Sequence, residues 1–305
     1  MEPLTKGTGG GADALSVCER IGLVGVGLMG SALTERLLEH GYRVAVWNRT
    51  REKAAPLLAR GAEWSDNPLA ACRRVIVSLY TADIVAQVLE QMQSGLHPGQ
   101  IILDTTTGEP VQTAALGKQM AARGVHYLDA PISGSSEQTR RGEATVIVGG
   151  DRAAFEACTD LWRVMGQKVF YVGPCGSAAK MKLISNLVLG LNRAALAEGL
   201  AFAEAIGVSP AAALEVMAGS NAYSRAMDVK GRKMVERDFT VQAKLSQHLK
   251  DVHLMLDAAA AAGLSLPLTE IHRRLMEQAE AAGLGEQDNS AIIEVLRKPR
   301  PTPSS

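Results

Sequence analysis

The chain has 305 residues, with 32 Lys and Arg balancing 32 Asp and Glu, so its formal net charge is zero. That length admits two domains or one large α/β domain, and the balanced charge, with no basic stripe interleaved with aromatics, argues against a nucleic-acid partner. Four scattered cysteines (Cys18, Cys72, Cys158, Cys175) form no CxxC pair and the six histidines no HxxxH spacing, which argues against a metal site and for free thiols in a reducing compartment.

Residues 1–19 read as a flexible leader, with Gly7, Gly9, Gly10 and Gly11 close together and no apolar signal core. Ile21–Val24 is a short apolar strand. It runs into Gly25-Val26-Gly27-Leu28-Met29-Gly30, a GxGxxG loop opening a helix to about Glu39. Alone the sextet is an ordinary βα turn, but between strand and helix it fits a dinucleotide fingerprint. Gly25 makes the tight turn, Gly27 lets the backbone approach a pyrophosphate, and Gly30 lets helix meet strand. Leu28 and Met29 open the helix whose N-terminal N–H groups face the phosphates. The second strand, Val44–Trp47, ends in Asn48-Arg49-Thr50. No carboxylate stands there to repel a 2′-phosphate, and Arg49 can stack on adenine or pair with that phosphate, so NADPH is favoured over NADH. A solvated turn arginine is the alternative.

Val75–Leu79, Ile101–Leu103 and Tyr127–Leu128 continue the alternation of strand and helix, predicting an α/β fold with a parallel sheet covered on both faces. Thr145–Val148 and Val169–Val172 extend that sheet. Between Leu128 and Thr145, Asp129-Ala130-Pro131-Ile132-Ser133-Gly134-Ser135 has a glycine that allows close approach, flanked by Ser133 and Ser135, whose hydroxyls could join local N–H groups in a carboxylate nest. Taken alone, the segment is equally an ordinary polar turn.

After Gly173-Pro174 the character changes. Ser177 to Ile206 could form one helix of ~45 Å, and helical segments follow to about Leu296, broken near 207–210, 219–221, 263–267 and 283–285. The most apolar stretch, Leu183–Ile206, carries Asn186, Asn192, Arg193, Glu198 and Glu204, too many polar groups for a lipid-spanning helix. A soluble, cytoplasmic protein is expected. The tail, 298–305, is proline-rich and expected to be disordered.

On that long helix Lys182 and Asn186 lie four residues apart and share a face, so an ammonium and an amide can reach one substrate. A lysine near a helix N-terminus, beside a cationic nicotinamide, has its ammonium form disfavoured and is suited to proton transfer. An isolated KxxxN is more simply two solvated residues. Lys250 could reach toward a cofactor, with Asp251 capping or pairing structurally, although periodicity alone favours a solvated charge pair. His126, His248, His253 and His272 read as surface or structural.

Together these segments resemble the β-hydroxyacid dehydrogenase family, and most closely its glyoxylate/succinic semialdehyde reductase branch, related to 3-hydroxyisobutyrate dehydrogenases. The matching motifs run in family order: Gly25–Gly30, Asn48-Arg49-Thr50, Asp104-Thr105-Thr106-Thr107, Asp129–Ser135, Gly176–Asn186, Lys250-Asp251 and Leu284–Ala291. The resemblance implies a Rossmann-type domain over 20–176 and an all-helical substrate and oligomerisation domain over 177–297, joined by the long helix, with the active site in the cleft between them. It implies Lys182 as catalytic lysine, Asn186 as its amide partner, Ser133, Gly134 and Ser135 as the substrate-carboxylate loop, and Thr107 and Lys250 at the cofactor. A homodimer or homotetramer acting on a small carboxylated aldehyde or hydroxy acid is expected, with no membrane partner. Glu137–Arg141, Leu79-Tyr80-Thr81 and Ser246–Leu249 depart from typical members and leave the substrate open. The alternatives are an imine reductase and a non-catalytic dehydrogenase-like binding protein; both typically lack the lysine.

Overall fold

In a computed structural model, residues 19–297 are described; the expected leader, apart from Glu19, and the expected tail lie outside them. Contacts divide the chain into two units, 1–182 and 183–305, so the division falls six residues into the long helix rather than at its start.

The first unit is built on a sheet of β1 (Arg20–Val24), β2 (Arg43–Trp47), β3 (Glu63–Trp64), β4 (Arg74–Val77), β5 (Ile101–Asp104), β6 (His126–Asp129), β7 (Ile132–Ser133), β8 (Thr145–Gly149) and β9 (Lys168–Gly173). Six strands run parallel in the order β3-β2-β1-β4-β5-β6, the doubly wound dinucleotide-binding order, whose chain reversal between β1 and β4 opens a crevice at the strands' carboxyl ends. Beyond β6, β8 pairs antiparallel with β6 and β7 and parallel with β9.

Alternation along the strands explains the two cores. Ile21, Leu23, Ile76, Leu103 and Leu128 point to one face, where Leu33 and Leu37 of α1 (Leu28–Glu39) cover them with Phe155 and Trp162. Val24, Val75, Val77, Ile102 and Tyr127 point to the other, under Val85 and Leu89 of α2 (Ala82–Gln91) and Leu116 and Met120 of α3 (Pro110–Ala122). A parallel sheet buried on both faces needs apolar residues in both registers, which is why its strands read as unbroken apolar runs. Two short strands escaped that signal: β3 and β7 have two residues each, below any readable period.

The second unit is helical. After the short α4 (Ser136–Arg140) of the first unit, the long helix α5 (Ser177–Ala205) enters this unit at Leu183; α6 (Pro210–Ala218), α7 (Leu245–Ala261) and α8 (Pro267–Ala279) come after it. Leu196, Ala197 and Leu200 of α5 meet Leu245, Leu249, Met276 and Ile292 in its core. A break missing from the sequence reading falls at Arg237, a non-glycine residue at φ 55, after which the chain runs without helix to Lys244. No helix among the described residues is long and apolar enough to cross a membrane.

Candidate active site

The glycine loop sits where β1 meets α1, and its three glycines are required for different reasons. Gly25 has φ +97, and a Cβ there would strike the Ser78 carbonyl; a Cβ on Gly30 would strike the Gly25 carbonyl. Both are packing glycines. A Cβ on Gly27 would meet no protein atom within 4 Å, so the protein itself does not demand a glycine there. Gly27 is also the residue before α1, with no side-chain cap on the helix, and Gly27 and Leu28 are exposed while Met29 is partly buried. Exposed N–H groups at a helix start, open space over a glycine and a helix dipole fit a dinucleotide pyrophosphate.

Asn48 ties this loop to β2. Its Oδ1 accepts from the Val26 N–H at 3.1 Å and its Nδ2 donates to the Thr50 carbonyl at 2.8 Å, which shapes the turn and leaves Arg49 exposed. On the neighbouring strands, the Thr106 hydroxyl accepts from the Leu79 N–H, and the Asp104 carboxylate from the Thr106 N–H at 2.9 Å and the Tyr127 hydroxyl at 2.5 Å. Thr107, partly buried, follows directly.

The segment after β6 leads to the lysine. Lys182 is 6 % exposed, and its Nζ donates to the Ile132 carbonyl at 2.7 Å. Ile132 immediately precedes Ser133, so the ammonium is fixed beside the Ser133–Ser135 loop. A Cβ on Gly134 would press on Ala144, while Ser133 is partly exposed. Ser135 has a structural task that the sequence reading missed. It caps α4 through a reciprocal box: its Oγ accepts from the Gln138 N–H at 3.2 Å and its own N–H donates to Gln138 Oε1 at 2.9 Å. The spacing Ser135-x-x-Gln138 was the available signal. The Ser135 N–H is therefore committed to Gln138, and the hydroxyl retains its proton to donate.

Asp129, which went unassigned in the sequence reading, anchors the start of the lysine helix: its Oδ2 accepts from the Ala179 N–H at 2.9 Å. Burial, more than the nearby Asp104 charge, pushes its carboxyl up to about 6. With the folded pKa above the unfolded value near 4, the protonated form favours folding. That stability is fully present below pH 4 and is lost as pH rises through 6. The difference corresponds to about 3 kcal/mol. Urea unfolding of the wild type between pH 4 and 7 should show this loss, and Asp129→Asn, which keeps an acceptor for Ala179, should flatten the slope; an unchanged slope in the variant would assign the pH dependence elsewhere.

In the second unit, Asn186 is 5 % exposed and its Nδ2 donates to Asp251 Oδ2 at 2.9 Å. The other Asp251 oxygen faces Lys250 Nζ at 3.1 Å. Asp251, expected only to cap or pair, thus joins Asn186 to Lys250 and fixes the amide with its carbonyl turned away from the carboxylate. That carbonyl is an acceptor for an ammonium or a hydroxyl. Lys250 is engaged with Asp251 within its own unit. Of the histidines, His126 and His253 are exposed, whereas His248 and His272 are buried. Among the described residues no cluster of three or more His, Cys, Asp or Glu could hold a metal.

Comparison with known proteins covers nearly the whole described chain. Residues 20–173 match the NAD binding domain of 6-phosphogluconate dehydrogenase, and residues 176–296 the family model described as NAD-binding of NADP-dependent 3-hydroxyisobutyrate dehydrogenase. The 2-(hydroxymethyl)glutarate dehydrogenase of Eubacterium barkeri is 32% identical over 90% of this chain and 94% of its own. The chain belongs to the β-hydroxyacid dehydrogenase family. It is similar also to the chloroplastic glyoxylate/succinic semialdehyde reductase 2 of Arabidopsis thaliana, at 29% identity over 91% of this chain and 79% of the relative. Among solved structures, the 3-hydroxyisobutyrate dehydrogenase of Salmonella typhimurium superposes with a TM-score of 0.83 at 25% identity, covering 91% of this chain and 99% of that one. The fold is that of an NAD(P)-dependent hydroxyacid dehydrogenase: a Rossmann domain followed by a helical domain.

Proposed function

We propose that the protein is an NADPH-dependent reductase of small aldehyde acids such as glyoxylate, succinic semialdehyde or tartronate semialdehyde, able to run in reverse as a β-hydroxyacid oxidation. One observation carries this reading: the buried Lys182 ammonium, held by the Ile132 carbonyl at the edge of the Ser133–Ser135 loop. A fixed cation next to hydroxyl and N–H donors suits a substrate with a carboxylate at one end and a carbonyl at the other.

The nicotinamide, when bound, supplies the hydride. Ser133, Gly134 and the Ser135 hydroxyl hold the carboxylate, which orients the carbonyl toward Lys182. Lys182 donates its Nζ proton to the oxygen as that oxygen gains charge, and takes it back in the oxidative direction. Asn186, one turn further along α5, has its amide oriented by Asp251, which leaves its carbonyl as an acceptor. Gly27, with the Leu28 and Met29 N–H groups, would receive the pyrophosphate on a turn that Gly25 and Gly30 shape by packing; Asn48, Arg49 and Thr50 would receive the adenosine ribose and its 2′-phosphate, and Thr107 and, by the family resemblance, Lys250 would contact the cofactor. Arg49, exposed with no carboxylate beside it in the turn, supports NADPH. A homodimer or homotetramer in the cytoplasm completes the reading.

The test is NADPH and NADH oxidation against glyoxylate, succinic semialdehyde, tartronate semialdehyde, methylglyoxal and a cyclic imine. Turnover confined to the carboxylated aldehydes is expected, with NADPH preferred by about tenfold or more and that preference reduced in Arg49→Ala. Activity on the imine alone, or equal use of methylglyoxal, would contradict the carboxylate clamp.

A further inference from the structure

The lysine meets the end of β6 through a ring of contacts that lies wholly within the first unit. The Lys182 ammonium donates to the Ile132 carbonyl at 2.7 Å, and the Ala179 N–H donates to Asp129 Oδ2 at 2.9 Å. Asp129 stands three residues before Ile132, and Ala179 three residues before Lys182. The two contacts therefore join the same two segments, each linking positions 50 apart. One is made by a side chain of the helix, the other by a side chain of the strand end. Together they close a ring in which the place of the ammonium depends on how the first turn of α5 is registered against β6.

That turn has no local side-chain cap. A helix leaves its first N–H groups without intrahelical acceptors, and a side chain just before the first turn ordinarily takes one of them. Here the residue before Ser177 is Gly176, and the Cys175 thiol next to it donates to the Thr113 carbonyl. Asp129 caps the helix from 50 positions away, with a carboxylate at the positive end of the helix dipole. Gly149, the last residue of β8, makes room for this: a Cβ there would collide with Asp129 Oδ1 and crowd the Pro174 carbonyl and the Ala178 nitrogen. Asp129 is 2 % exposed. Burial works against its charge, as does the Asp104 carboxylate on the neighbouring strand, while the Ala179 and Gly176 N–H groups favour it. Tyr127 and Cys175 also face the two carboxylates. Burial pushes the Tyr127 hydroxyl well above its usual range and the Cys175 thiol up to about 12, so both stay neutral.

We propose that Asp129 is a positioning residue for Lys182: by capping α5 it fixes the turn that carries the lysine, and its charged form holds that turn in the register at which the ammonium meets the Ile132 carbonyl. The role rests on the reading of Lys182 as proton donor to an aldehyde acid. A hydrogen bond to a charged acceptor is about twice as strong as a neutral one, so protonation of Asp129 loosens the cap without abolishing it. The buried charge destabilises the fold as a whole, yet it strengthens the contact that places the lysine. Stability and turnover therefore respond to acid in opposite directions: as Asp129 takes up a proton, the fold gains stability and the lysine loses its place. A displacement of ~1 Å can cost about 10²-fold in rate, which sets the scale of the loss when the cap is removed.

Amide exchange and kinetics on the full-length protein test this. Asp129→Ala removes the cap; Asp129→Asn keeps an acceptor for the Ala179 N–H and loses the charge. Hydrogen–deuterium exchange of the ligand-free protein, read by mass spectrometry, should be about five- to tenfold faster over 177–186 in Asp129→Ala and unchanged over the glycine loop. In Asp129→Asn it should stay within about twofold of the wild type. For reduction of succinic semialdehyde, kcat should fall about 30- to 100-fold in Asp129→Ala, with KM and the affinity for NADPH within about threefold. Asp129→Asn should restore kcat to within about threefold of the wild type at pH 7.5. The ratio of wild type to Asp129→Asn, in which ionisations common to both cancel, should then fall from about three to about one by pH 5. Unchanged exchange over 177–186 in Asp129→Ala would overturn the proposal. So would a lowered Tm with kcat intact, which would make the carboxylate merely structural, or a ratio of wild type to Asp129→Asn that does not change with pH. Should Asp129→Ala fail to fold, that ratio decides. Absence of turnover with every acid would instead defeat the aldehyde-acid reading, and the exchange data would still decide the cap.

Discussion

Lys182→Met should lower kcat for aldehyde-acid reduction by about 10³-fold while leaving the affinity for NADPH within about twofold, the range general acid catalysis supplies. The expectation follows from position. The Lys182 ammonium is buried and donates to the Ile132 carbonyl one residue before Ser133, on a segment far along the chain from the glycine loop at 25–30. Methionine fills the same volume without the charge, which avoids the cavity that alanine would leave. The loss should lie in kcat more than in KM, because the carboxylate loop still binds substrate. Tight NADPH binding by fluorescence together with lost turnover would place the lysine on the reacting oxygen. Turnover close to that of the wild type would remove it from the mechanism.

Gly27→Val should abolish cofactor binding, raising the NADPH dissociation constant by about 100-fold or more, while the Tm moves by only about 1–2 °C. The two halves of this expectation come from one fact. A side chain at Gly27 meets no protein atom within 4 Å, so the fold tolerates it, and it fills the space where the pyrophosphate approaches the helix start. Gly30→Ala provides the contrast, since its Cβ would strike the Gly25 carbonyl, and it should fail to fold stably. Calorimetric titration with NADPH beside thermal melts measures both. Retained affinity in Gly27→Val would mean that the phosphates lie elsewhere.

The parts of this molecule readable in advance are those written as periodicity or as local motifs. Ile21, Leu23 and Val24 announce a buried strand, and glycines at 25, 27 and 30 between strand and helix announce a nucleotide loop. The long helix was legible because no proline interrupts 177–205 and its two glycines are tolerated. What stayed hidden depends on residues far apart in sequence. Asp129 reads as a polar residue at a strand end, and only folding places its carboxylate at the Ala179 N–H, 50 positions on. The Asn186–Asp251–Lys250 chain spans 65 positions, and neither helix alone implies it. Arg193, in an apolar helix, looked like one polar residue against a membrane span; its burial appears only once that helix packs in the second unit. Ser135 differs, because Ser135-x-x-Gln138 was a written capping box that attention to the carboxylate loop obscured.

The most direct measurement is isotope transfer. NADPH carrying deuterium at the transferable position of C4 is incubated with the protein and succinic semialdehyde, and the hydroxy acid is analysed by mass spectrometry. One deuterium on the carbon that was the aldehyde, at a yield matching NADPH consumed and lost in Lys182→Met, is the expected result. Product without label, or NADPH oxidised with no hydroxy acid formed, would contradict hydride reduction of an aldehyde acid by this protein.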